Sequence, residues 1–329
     1  MKKKQLALIM GGYTAESVVS EKSAAVVAQH LDRDRYDVYP LHIYPGNWYL
    51  EGEEGTKWPV DMNGFTVIKD GEKISFDGIF NIIHGSPGED GKLAGYFDML
   101  GIPYTTCDAL TSSITMNKGY TKAILSGIED LHLANSLQLF SNQKGNASLV
   151  LEQLRLPYFV KPNNGGSSIG MSKVKEKEEL DEALDKAFQE DKQVLVEEFV
   201  TGREFSIGIY KTDGKVTVLP ATEIISSKEF FDFEAKYSPG VSEEITPGRM
   251  EEREVARVNR IAEQVYLKLN CKGSVRMDYF LEKETGNFFF IEINTVPGQT
   301  ETSLISQQVR AAGMTLKDFY TELIEEMWR

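Results

Sequence analysis

Apolar residues fall in short blocks along the first hundred positions, and the period of the blocks alternates. QLALIM (5–10) is nearly continuous and stops at Gly11-Gly12, which predicts a buried strand and a turn. ESVVSEKSAAVVAQHL (16–31) then carries apolar residues at helical spacing. DVYPLHIY and FDGIFNII return to strand character, the second running into His84, and GKLAGYFDML predicts a helix that leads to GIPYTT. Such alternation predicts an α/β unit with a doubly wound parallel sheet, whose ligands gather at the carboxyl ends of the strands. Gly11-Gly12, Glu16 and the loop HGSPGEDG (84–91) lie at those ends.

Further on, ALTSSITMNKGYTKAIL (109–125) predicts one helix, PYFVKP (157–162) a strand and NNGGSSIG (163–170) a glycine loop. KEKEELDEALDKAFQ is a charged amphipathic helix, QVLVEEFV (193–200) a strand, and REFSIGIY a second strand with alternating polarity. A long polar loop, 227–247, precedes a helix near 250–269 whose Val255, Val258, Ile261, Ala262, Val265, Tyr266 and Leu269 form one stripe. Breaks near 106 and 198 divide the chain into units 1–106, 107–197 and 198–329.

The last strands, SVRMDYFLEK and NFFFIEINT, read as a hairpin around a three-residue loop with left-handed Gly286. In that register Lys283 faces Asn287, Asp278 faces Glu292 and Arg276 faces Asn294. Odd positions, including Phe289 and Ile291, form an apolar face. Even positions place Arg276, Asp278, Glu292 and Asn294 together at one end. Two carboxylates and an amide oxygen suit a hard divalent cation such as magnesium. The hairpin alone also allows a structural ion pair of Arg276 with the two acids.

Composition narrows the possibilities. A formal charge of −14 over 329 residues argues against a general nucleic-acid or anionic-membrane surface, though a phosphate ligand needs only local cations. Cys107 and Cys271 offer neither zinc spacing nor a disulfide framework. MKKKQLALIMGG imitates a signal peptide, but its apolar run of about six residues is too short for one. A soluble cytoplasmic protein is the expectation.

Lys161 ends a strand and precedes a loop with glycines and serines able to offer amides and hydroxyls to phosphate, although the spacing is not that of a Walker A loop. Lys118 in MNKGYTK is a second candidate phosphate cation, and Lys236-Tyr237 sit in the long loop, a candidate lid. The N-terminal glycines lack the G-x-G-x-x-G of a dinucleotide site.

Taken in order, GGYTAESVVS, HGSPGEDGKLAG, MNK, VKPNNGGSSIGMSKV, VEEFVTGREF, FDFEAKY, GSVRMDYF and IEINTVPGQTETSL resemble the D-alanine–D-alanine ligases of the ATP-grasp superfamily over nearly the whole chain. The resemblance implies an ATP-grasp fold: the N-terminal parallel-sheet unit, then two α+β subdomains that sandwich ATP. It implies that Lys118, Lys161, Ser168 and Lys236 hold phosphates, that Glu197, Glu198, Phe199 and Val200 line the adenine pocket, and that Glu204 meets the ribose. Asp278, Glu292 and Asn294 match ligands of two magnesium or manganese ions, and Arg276 with the Gly298 amide matches an oxyanion-stabilising pair. Glu16, in a set with Ser167 and Tyr237, and His84 fall at the first D-alanine, while Ser303 and Leu304 receive the second. Ala94 and Gln299 stand where the family often has Gln and Met, and Tyr237 favours D-alanine over D-lactate as acceptor. Homodimers are a family expectation. The rival readings are a ligase using D-lactate or D-serine and a non-catalytic nucleotide-binding relative.

Overall fold

The structure, a computed structural model, describes residues 2–143, 145–166, 169–226 and 242–329. Ser167, Ser168, Lys236 and Tyr237 therefore lie outside the described residues, as does most of the expected lid.

Among the described residues the strands form three sheets. In the first, Lys4–Gly11 pairs in parallel with Tyr36–Tyr44 on one side and Gly78–Asn81 on the other. This parallel heart is the expected one. Four further strands, Asn47–Glu51, Lys57–Asp61, Thr66–Lys69 and Glu72–Ser75, extend it as an antiparallel meander that the strand–helix reading passed over. The meander's Phe65 and Val67 share one apolar cluster with Ile9, Ile43 and Ile79 of the parallel strands and with Phe97 of helix Lys92–Leu100.

The second sheet runs antiparallel in the order Ser172–Val174, Tyr158–Pro162, Gln193–Glu198, Ser136–Phe140. Helix Leu180–Glu190 covers it with Leu180, Ala183, Leu184 and Ala187, the stripe expected of that charged segment. In the third sheet Gly202–Thr212 and Ser274–Glu282 pair along nine residues, and Phe288–Asn294 lies beyond. Helix Glu252–Lys268 buries Val258, Ile261, Ala262, Val265 and Tyr266 against it. Ser242–Ile245, expected as loop, is a strand of this sheet.

The C-terminal helix Leu316–Met327 joins the first and third sheets. Its Tyr320 stacks edge-on against Phe80 at 5.6 Å and its Phe319 against Tyr210 at 5.1 Å. Both aromatics are fully buried, so this helix fixes how the first sheet meets the third.

Two local differences reshape the site. The segment expected as one helix over 109–125 is two, Ala109–Met116 and Lys118–Leu125. Asn117 leaves helical geometry, and its side chain accepts from the Tyr120 amide at 3.0 Å, an N-cap that outcompetes helix continuation. Lys118 thus starts a helix instead of lying inside one. The C-terminal hairpin also differs from the expected register. Arg276–Asn294, Met277–Ile293 and Asp278–Glu292 pair as predicted, but Tyr279 faces Phe290 and Leu281 faces Phe288. Ile291 is the extra residue of a β-bulge, and the loop is one residue longer than expected because Glu282, not Lys283, pairs with Asn287. Phe288 and Phe290 therefore join the core, while Phe289 turns with Phe280 towards the opposite face.

Candidate active site

Between the second and third sheets opens a cleft of about 2050 Å³, reaching the carboxyl ends of the first sheet's parallel strands. One wall is built on strand Tyr158–Pro162 and its neighbour Gln193–Glu198. Residues 159, 161 and 197 share one face, with Phe159, Lys161 and Glu197 all in the cleft wall. Glu197 is 8 % exposed and its carboxylate bridges the ammonium groups of Lys161 and Lys122. Burial pushes this carboxyl up, but the charges of Lys161 and Lys122 outweigh it and hold it at about 2. Lys122 also donates to the Ala134 carbonyl at 2.8 Å, which ties the helix after Asn117 to this wall. Burial lowers the pKa of Lys122, against the attraction of Glu197.

A carboxyl whose folded pKa lies below its unfolded value releases its proton more readily in the native state. Its contribution is full above pH about 4.5, drains as the pH falls towards 2, and amounts to roughly 3 kcal/mol. Glu197→Gln is expected to flatten that acid limb. It should also destabilise the protein by roughly 3–5 kcal/mol at neutral pH, because the buried Lys122 and the half-buried Lys161 lose their counter-charge. Calorimetric melting of both proteins between about pH 3 and 7 checks the pair of effects.

Glycine loop residues 163–166 cross the floor. The Lys118 ammonium donates to the Gly165 carbonyl, and Asn163 accepts from the Gly119 amide at 2.9 Å. Asn164 is fastened to Asp191 through its amide and side chain, at 2.7 and 2.8 Å. A methyl group at Gly166 would sit 3.5 Å from both carboxylate oxygens of Glu16, and one at Gly85 would sit 2.9 Å from the nearer oxygen. Glu16 is thus placed between the glycine loop and the loop at 84–91.

The facing wall is the even face of the bulged hairpin. Arg276 donates from Nε and Nη2 to the two Asp278 oxygens at 3.1 and 3.0 Å, and Ser206 Oγ donates to Oδ1 at 2.6 Å. Burial disfavours the guanidinium, but the carboxylates of Asp278, Glu292 and Glu89 more than compensate and keep it charged. Glu292 and Asn294 follow across the ladder and line the cleft, and Asn294 Oδ1 accepts from the Val296 amide at 3.0 Å. The ion pair considered from the sequence is therefore present for Asp278, beside Glu292.

Beyond Asn294 the chain turns through Pro297 and Gly298 into helix Leu304–Ala311. Ser303 Oγ accepts from the Thr300 amide at 2.9 Å and would lie 3.0 Å from a methyl group on Gly298. The unsatisfied amides of that helix's first turn suit a carboxylate. His84 is 5 % exposed and donates from Nδ1 to the Val296 carbonyl at 2.6 Å. Burial lowers its pKa, so the ring is neutral and Nε2 is an acceptor; among the described residues that buried nitrogen has no hydrogen-bond partner. Together these residues line a cleft with lysine cations on one wall, carboxylate and amide oxygens on the other and helix N-terminal amides at the end.

The family model of the D-ala D-ala ligase N-terminus matches residues 5–107, and that of the D-ala D-ala ligase C-terminus matches residues 130–325. The chain belongs to the D-alanine–D-alanine ligase family. A curated D-alanine–D-alanine ligase of Phocaeicola vulgatus is 44% identical over 324 residues, 98% of this chain and 99% of that protein. The structure resembles the VanG D-Ala:D-Ser ligase of Enterococcus faecalis at 30% identity, with a TM-score of 0.90 over 99% of this chain and 100% of that one. It also resembles a Bacillus anthracis D-alanine–D-alanine ligase solved in complex with ATP, at 27% identity and a TM-score of 0.79 over 99% and 98% of the chains. The fold is that of the ATP-grasp ligases.

Of the site residues expected from the ligase motifs, Glu16, His84, Lys118, Lys161, Glu197–Val200, Glu204, Arg276, Asp278, Glu292, Asn294, Gly298, Ser303 and Leu304 all line this cleft. Glu198 presents mainly backbone, since its carboxylate accepts from Asn135 and from the Arg155 amide, both at 2.9 Å. Three contributions went unread in the sequence. Lys122 stands four residues after Lys118, one helical turn along the same face, so the lysine spacing in MNKGYTK was a usable signal. Phe159, Phe280 and Phe289 bring aromatic surface from both walls, the last only because of the bulge. Glu89 lies inside a motif that was read as a whole. Gln299 is also explained. It is 3 % exposed, receives the Tyr320 hydroxyl at 3.3 Å, and donates its amide to Ser23 Oγ at 3.1 Å, so it braces the turn from behind.

Proposed function

We propose that the protein joins two D-alanine molecules to D-alanyl-D-alanine with ATP, through an acyl phosphate, releasing ADP and phosphate for cell-wall precursor synthesis. The observation that carries this is the opposition, across one cleft, of the Lys161–Glu197–Lys122 wall and the Arg276–Asp278–Glu292–Asn294 face. Adenine binds between Phe159 and the phenylalanines of the bulged hairpin, edged by backbone of 197–200, with Glu204 at the ribose. Lys118 and Lys161 hold the phosphates under the glycine loop; Ser168 and Lys236 complete that set.

Asp278, Glu292 and Asn294 are hard oxygen donors on one sheet face, and they fit magnesium or manganese. Three protein donors would leave coordination positions for phosphate oxygens and water. Two ions held by these residues would supply positive charge to offset that of the transferring phosphoryl group.

His84 Nε2 and Glu16 receive the ammonium of the first D-alanine, with Ser167 and Tyr237 in the same set, and turn its carboxylate towards the γ-phosphate. A carboxylate oxygen attacks phosphorus and ADP leaves. The amine of the second D-alanine, its carboxylate on Ser303 and the Leu304 amide, then attacks the acyl carbon. Arg276 and the Gly298 amide stabilise the oxyanion, each such donor being worth about 3–4 kcal/mol. The C–O bond to phosphate breaks, and phosphate departs with the electron pair and takes up the proton that the amine loses. The segment 227–247, the candidate lid, would exclude bulk water during these steps.

The same reading makes the protein a cytoplasmic homodimer. Among the described residues no helix is long and apolar enough to cross a membrane. Turnover decides the substrate: ATP, magnesium and D-alanine should give one dipeptide per phosphate, with L-alanine inert. D-Serine and D-lactate as added acceptors test the rival specificities. Absence of D-alanine-dependent phosphate from folded protein would overturn the reading.

A further inference from the structure

Glu89 is a half-buried acid lining this site to which the mechanism above gives no step. Its carboxylate accepts three backbone N–H groups from two separate parts of the chain. Oε2 takes the Gly85 amide at 2.8 Å, and Oε1 takes the amides of Thr295 and Val296 at 3.0 and 3.1 Å. Burial, reinforced by the neighbouring Glu16 charge, pushes its carboxyl up to about 7, against the pull of the three donors. A carboxylate is costly to bury where packing alone is needed, and three charge-assisted bonds of fixed direction are what it gives in return.

Thr295 and Val296 begin the turn that carries Gly298. The same turn is gripped by His84 through the Val296 carbonyl, and on its far side by Ser23 through the Gln299 amide. Between these anchors only Pro297 and Gly298 remain, and proline fixes one of the intervening dihedrals. We infer that Glu89 is a positioning residue for acyl transfer: by locking the turn after Asn294 to the Gly85 loop, it fixes the Gly298 amide where the oxyanion forms. The inference rests on the reading of Gly298 as an oxyanion donor. The role inferred for Glu89 is to hold backbone, three of its acceptor sites being given to the amides of Gly85, Thr295 and Val296.

The consequence is a specific failure. With the turn loosened, phosphorylation of the first D-alanine proceeds, but capture of the acyl phosphate by the second amine slows. An acyl phosphate that outlives the closed state meets bulk water, which adds to the acyl carbon and returns D-alanine and phosphate with no dipeptide.

Glu89→Gln keeps the volume and loses the charge. It is expected to lower kcat roughly tenfold to a hundredfold, as a misplacement of about 1 Å does, with KM for ATP nearly unchanged. Phosphate released per dipeptide should rise above one, and hydrogen exchange of the 294–299 peptide should quicken. Unchanged exchange in a folded Glu89→Gln protein overturns the positioning role. Faster exchange with a ratio still at one overturns instead the reading of Gly298. Glu89→Asp, which keeps the charge but shortens the reach, carries the same measurements if the glutamine variant does not fold.

Discussion

Arg276→Lys lowers kcat about 10²–10³-fold in a protein that still folds. The guanidinium is largely buried and spends two of its N–H groups on the Asp278 carboxylate, one to each oxygen. A planar fork can make that bidentate bond while its other edge faces the cleft; a lysine ammonium is a point charge and cannot do both. Lysine still leaves Asp278 a positive neighbour, so the folding cost of an unpaired buried carboxylate is avoided. The loss therefore appears in kcat, with the melting temperature little changed. Steady-state kinetics beside a thermal melt separate the two quantities, and a kcat within threefold of wild type would remove Arg276 from the oxyanion site.

Glu292→Gln is the second large effect, and it decides between the two meanings of the polar hairpin end. Glutamine has the shape of glutamate and retains one carbonyl oxygen, but it brings no charge. If Glu292 ligates the magnesium ions, several kcal/mol of charge stabilisation are lost, and about 4 kcal/mol corresponds to a roughly 10³-fold fall in turnover. The magnesium concentration for half-maximal rate should rise as well. If Glu292 only balances Arg276, whose charge it supports, the variant should melt earlier and turn over nearly as fast as wild type.

How far the sequence revealed this site depends on what each position tells. The polar end of the hairpin was legible because Arg276, Asp278, Glu292 and Asn294 alternate with large apolar side chains, and alternation assigns the four to one face. The bulge at Ile291 was not legible. Phe288, Phe289 and Phe290 are chemically alike, so shifting the register by one residue leaves the pattern unchanged while exchanging which ring meets the core and which meets the cleft. The meander after Tyr44 was missed although it left a mark: Asp70 and Gly71, with φ of 52° and 86°, form the two-residue turn that Asp-Gly signals. Its strands are only four or five residues long, too short for a strand–helix alternation to register. The break at Asn117 was hidden for another reason. The apolar pattern continues across it, and only the capping tendency of asparagine, a local preference set against a helical surround, marks the boundary. Lys122 and Glu89 act through partners distant in sequence, Glu197 and Thr295–Val296, and no local pattern names those partners.

The whole account turns on the acyl phosphate, in which an oxygen of D-alanine comes to bridge carbon and phosphorus. D-Alanine labelled with ¹⁸O in its carboxylate, turned over with unlabelled ATP and magnesium, reports it directly. The account predicts phosphate that carries one ¹⁸O for each dipeptide formed. Dipeptide accompanied by unlabelled phosphate would contradict it.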